Sequence, residues 1–181
     1  LPTVPAKVFI DLQDVVRKSS ELIGFPLESL VDVIGLYDRT FGDLPEFEAL
    51  HDELVATFAS RSGQAEAAML NLRRAVSRLE SDKAYDAIVL IGRTLVGLSQ
   101  HKHRETLISA LNLIGHAYEK VGLMWAARGA LLNSICIVIG EFETHADTSR
   151  IQSGLLGHMK WLELQLGRLP QCLEWAHLAA A

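Results

Sequence analysis

Apolar residues recur along this chain at helical spacing. The clearest stripe is Ala65, Ala68, Met69, Leu72, Ala75, Val76 and Leu79, the i, i+3, i+4, i+7 pattern of a half-buried helix. Read with Gly and Pro as punctuation, the pattern predicts about nine helices. They run over Ala6–Ile23, Leu27–Phe41, Pro45–Ser60, Gln64–Glu80, Lys83–Ser99, Arg104–Val121, Leu123–Phe142 and Thr148–Leu166, with a last helix from Leu169 to the end. Pro26 opens the second helix and Gly42 stops it. Ser62-Gly63 ends the third and Ser81-Asp82 opens the fifth. The segment Ala130–Gly140 is so apolar that burial on most sides is expected. The fold class expected is all-α.

Composition agrees. Of 181 residues, 49% are hydrophobic, aromatics are few, and neither Asn-Gly nor Asp-Gly occurs, so hairpin signals are absent. Short connections between helices of this length make neighbours antiparallel, which implies a stack of helical hairpins. Interhelix punctuation falls at Gly42, Asp82, Gly122 and Gly167, in steps of 40, 40 and 45. A recurring period of this size marks a helical repeat array. The units read are 6–26 as a leading helix, then helix pairs over 27–63, 64–103, 104–147 and 148–181, forming one repeat domain.

One pair carries more. Leu111, Ile114-Gly115, Tyr118, Ala127 and Leu131 follow one another at offsets that resemble the tetratricopeptide repeat. Gly115 would let paired helices approach, Tyr118 would fill the space beside them, Gly122 would turn the chain, and small Ala127 would mark the crossing. Other copies depart from the pattern. Phe47 replaces the small crossing residue in the first, Lys160 stands where Gly is expected in the last, and the period is near 40 instead of 34. The resemblance implies a right-handed α-α superhelix of antiparallel helix pairs. HEAT or armadillo pairs, with periods of ~40–47, and a non-repetitive bundle are the alternatives.

Charge narrows the partners. The net charge is −5, and residues 1–60 carry 4 basic against 11 acidic side chains, which argues against nucleic acid. Apolar runs are interrupted well before the ~18 residues of a membrane span. Two cysteines, Cys136 and Cys172, sit in apolar context and read as small core residues, compatible with a reducing, cytoplasmic setting. The chain starts at Leu1 and ends in an apolar helix, as expected of a domain excised from a longer protein.

No catalytic signature is present: no Gly-rich phosphate loop, GxSxG, HExxH or paired-cysteine motif. His101 and His103 form an HxH turn, but flanking Lys102 and Arg104 repel a cation and further ligands are lacking. No metal and no cofactor are expected. His116 and His158 each follow a glycine and lie 42 apart, a spacing that could set them on adjacent first helices. In tetratricopeptide-like arrays the residue after the packing glycine faces the concave groove. The resemblance therefore implies a groove lined by Asn112, His116, Glu119 and Lys120, extended by His158 and Trp161. An enzyme built on His116, His158 and a carboxylate such as Glu119 would need these side chains to converge on one point. Arg74 and Arg78, with Arg73, form a basic patch able to take an acidic peptide or to pair with the acidic first third.

The expected function is a non-catalytic scaffold module that binds a protein or peptide on a concave surface. The alternative is the sensor or effector domain of a signalling ATPase or transcription regulator. Exposure of Leu178 and its neighbours would allow self-association through the terminal helix.

Overall fold

A computed structural model describes residues 27–61, 63–98, 103–141 and 146–180, with Asp14 and Lys18 in helical conformation. Eight helices occupy the described residues, and no strand occurs among them. They are α1 (Leu27–Phe41), α2 (Pro45–Arg61), α3 (Gln64–Glu80), α4 (Ala84–Gly97), α5 (Arg104–Lys120), α6 (Met124–Glu141), α7 (Ala146–Gln165) and α8 (Leu169–Ala180). About nine were expected; of the first expected helix, 6–23, only Asp14 and Lys18 are among the described residues, and His101 lies outside them. No helix among the described residues is long and apolar enough to cross a membrane.

Three of the four expected turns share one geometry. Asp82, Gly122 and Gly167 adopt left-handed φ values of 58°, 78° and 72°. At each, the next residue's N–H reaches back to the carbonyl five positions earlier: Lys83 to Arg78 and Leu123 to Tyr118 at 2.8 Å, and Arg168 to Glu163 at 2.8 Å. The turn residue's own N–H bonds the carbonyl three positions back, from Asp82 to Leu79, Gly122 to Glu119 and Gly167 to Leu164. This Schellman pattern satisfies the orphan carbonyls of a helix end and needs a residue that tolerates positive φ. Gly42 is different. It donates to the Asp38 carbonyl at 2.9 Å and shows no left-handed φ. A Cβ on Gly42 would lie 2.7 Å from Arg78 Nη2 and closer still to Asp38, so this glycine makes room for an ionic cluster.

The chain divides into two compact units, residues 1–83 and 84–181. In the first, α1 and α2 both pack on α3 and touch each other little. Ile34, Phe47, Leu50, Leu54 and Leu70 form its core, with Tyr37, Phe41 and Phe58 partly buried against it. Because α3 meets two helices, its buried arc is wider than the apolar stripe. It takes in Arg74, Ser77 and Arg78 as well as Ala67, Ala68, Leu70, Ala75 and Leu79, while Met69 of the expected stripe is exposed.

Arg74 and Arg78 therefore point inward, not onto a solvated basic face. Asp38 is 5% exposed and receives Arg74 Nε at 2.8 Å and Arg78 Nη2 at 3.3 Å. Arg78 also donates to the Gly42 carbonyl and, at 2.6 Å, to Asp43. The Arg74 guanidinium stands 5.6 Å over the Phe47 ring. Hydrogen bonds from Lys83 first and Arg78 second hold the Asp43 carboxyl below the usual carboxylate range. The acidic residues that make the first third negative thus recruit the arginines of α3, because buried guanidinium must be paired.

In the second unit, consecutive helices pack in sequence, α4 on α5, α5 on α6, α6 on α7 and α7 on α8. Its core joins Ile108 of α5 to Ala127, Leu131, Ile135 and Val138 of α6 and to Leu155, Leu156, Met159 and Leu162 of α7. The apolar α6 is buried along one arc only: Asn133, Cys136 and Ile139 are exposed. Cys136 is accordingly a surface thiol and Cys172 a half-buried one, not the core residues expected from their apolar neighbours. Fully buried Glu163 receives Arg128 at 2.9 Å and Arg168 at 3.1 Å, with the Trp175 indole N–H at 3.4 Å.

Candidate functional site

Helix spacing puts His116 and Glu119, three residues apart in α5, on one face. In the second unit that face meets α7, whose His158 side chain closes the group. The His116 and His158 rings stack with centroids 4.4 Å apart and planes 21° from parallel. His158 Nε2 hydrogen-bonds Glu119 Oε1, and His116 Nδ1 lies 4.0 Å from Glu119 Oε2. The Trp161 ring lies 6.3 Å from His158, one helical turn further along α7. His116 is 52% exposed at the side chain, whereas His158 and Glu119 are largely covered. Trp161 is 42% exposed. The result is an accessible strip with a half-buried carboxylate at its base.

Burial, and then the neighbouring imidazole of His158, push the His116 pKa below the ordinary histidine value; Glu119 opposes this. Neutral His116 is thus favoured near pH 7. Two imidazole rings and one carboxylate converge here. The nitrogen and oxygen atoms of His116, Glu119 and His158 all lie within 4.8 Å of one another.

Four of the eight residues singled out in the sequence meet in this strip: His116, Glu119, His158 and Trp161. Asn112 sits one turn before His116 and keeps its Oδ1 buried without a hydrogen-bond partner among the described residues. Lys120 is exposed in the last turn of α5. Arg74 and Arg78 belong to the other unit and serve its ionic cluster.

Counted from Gly122 and Gly167, His116 and Trp161 each stand six residues before a left-handed turn, and His158 lies three residues before Trp161. His116 nevertheless stacks on His158. One contact has no signal in the sequence: exposed Trp125 carries the Arg168 guanidinium 5.4 Å from its ring centroid. The two residues are 43 apart, and no local pattern links them.

Neither protein-family models nor curated proteins match this chain.

Proposed function

We propose that the chain is a non-catalytic scaffold module of tetratricopeptide-like helix pairs. In this reading it binds a protein or peptide on the strip formed by α5 and α7. The observation that supports this best is the meeting of His116, His158 and half-exposed Trp161 on two first helices whose turns share one hydrogen-bond pattern. A strip of aromatic rings on rigid helices offers contact area at little entropic cost, and aromatic anchors commonly dominate binding energy. Lys120 supplies a polar rim, with Glu119 and Asn112 beneath. Exposed Leu169, Leu173 and Leu178 on α8, a helix with no buried residue, support a second contact between copies of the chain.

Selection from a displayed peptide library with the whole chain tests the groove. Enriched peptides should bind His158→Ala and Trp161→Ala at least tenfold more weakly, the loss expected of anchor residues. Failure of any peptide to enrich, or equal binding to both variants, would sink the proposal.

A further inference from the structure

We infer that His116, Glu119 and His158 form a binding site for a divalent transition-metal ion, Zn²⁺ first among them. The inference goes beyond the peptide-binding reading and stands without it. Two imidazoles and one carboxylate are a donor set that Zn²⁺ takes, and three protein ligands leave a fourth position open for water or a partner's side chain. The set comes from two helices, with His and Glu three apart on α5 and the second His on α7, so rigid elements hold it together. Its formal charge, one carboxylate with two neutral imidazoles, complements a dication.

The ligand atoms are grouped more widely than a bound ion would hold them. Zn–N and Zn–O bonds near 2 Å put tetrahedral ligands about 3.3 Å apart. The ligand atoms here lie within 4.8 Å, with Glu119 Oε2 4.0 Å from His116 Nδ1. His116 is the most exposed of the three, and closing the site requires its ring to turn out of the stack. His158 must give up the hydrogen bond by which its Nε2 meets Glu119: the ring proton passes through solvent to Nδ1, and the freed Nε2 lone pair faces the ion beside the carboxylate. Metal-bound histidines hold their second ring N–H on an acceptor. Asn112 offers a buried Oδ1 without a partner one turn before His116, the side toward which helical side chains lean. A structural ion pair alone would explain His158 and Glu119. It would not explain a second imidazole stacked 4.4 Å from His158, nor the buried acceptor of Asn112, which has no hydrogen-bond partner among the described residues.

The test is titration of the whole, metal-free chain with Zn²⁺ alone, followed by calorimetry. Binding of one equivalent is expected, weakened at least about tenfold in each of His116→Ala, His158→Ala and Glu119→Gln, a loss of the size even indirect ligand contacts give. His177→Ala, on α8, should bind as the parent does. Co²⁺ in place of Zn²⁺ should show the intense visible bands of a tetrahedral site, and His116→Ala, which alters an exposed side chain, should abolish them while leaving the helical circular dichroism intact. No stoichiometric binding, or binding unchanged in His116→Ala and His158→Ala, would overturn the inference. Repeating the peptide measurements in EDTA separates the two proposals: peptide binding that survives EDTA leaves the groove reading standing whatever becomes of the metal.

Discussion

Gly115 and Gly122 lie close in sequence, yet their substitutions should act in opposite directions. Gly115 is helical and buried, but a Cβ there would meet Leu131 Cδ1 at 3.6 Å and the Ala127 carbonyl at 3.7 Å, ordinary contact distances. Close approach does not require glycine at this point. Gly115→Ala should raise stability by about 0.5–1 kcal/mol, the helix-interior difference between the two residues. Gly122→Ala, at φ 78°, should cost about 1 kcal/mol. Urea unfolding of both variants checks the pair of signs. His51 of α2 gives a second prediction. Its ring is fully buried, and burial together with the nearby Arg74 charge lowers its pKa to about 4, with the Leu70 backbone and Asp52 and Asp38 opposing. A histidine whose folded pKa is depressed binds fewer protons in the native state between pH 4 and 6.5. Its contribution is therefore fully present above the unfolded value and is lost as pH falls toward 4, by about 3 kcal/mol in all. His51→Leu should flatten that part of the stability–pH curve; an unchanged slope would refute the assignment.

At the scale of elements, the ionic cluster between α1 and α3 governs the first unit. Asp38→Ala would remove the carboxylate that Arg74, 3% exposed, pairs with, and one of the two carboxylates that Arg78, 5% exposed, meets. The expected loss is about 3–5 kcal/mol, read by chemical unfolding, because an uncompensated buried charge costs more than the pair contributes. The Arg39–Glu80 pair is half-exposed at both ends, and Arg39→Ala should shift stability by less than about 1 kcal/mol. These helices also show what was legible beforehand. Every described helix was marked by apolar period and punctuation, and the breaks at 82, 122 and 167 were marked by residue type, though Asp82, expected to open a helix, closes the preceding one with a left-handed φ. The inward turn of Arg74 and Arg78 was not. Helical period assigns charged residues to the polar face, and only the third dimension brings Asp38 opposite them. Exposed Cys136 was missed for the related reason that an apolar stretch long enough to bury one arc of α6 still leaves another facing out.

At the scale of the molecule, the meeting of His116 and His158 was legible as a spacing of 42 residues, but their stacking was not. The turn register pairs His116 with Trp161, and side-chain contact runs diagonally to His158. The exposed row on α8 makes a prediction here too: light scattering should show a mass that rises with concentration, and Leu173→Glu should hold the chain monomeric. The groove itself is tested most directly by mapping amide and side-chain shifts in ¹⁵N-labelled chain titrated with a selected peptide. The largest shifts should fall on His116, Glu119, His158 and Trp161 across α5 and α7. Shifts confined to other helices, with these four residues unmoved, would contradict the account.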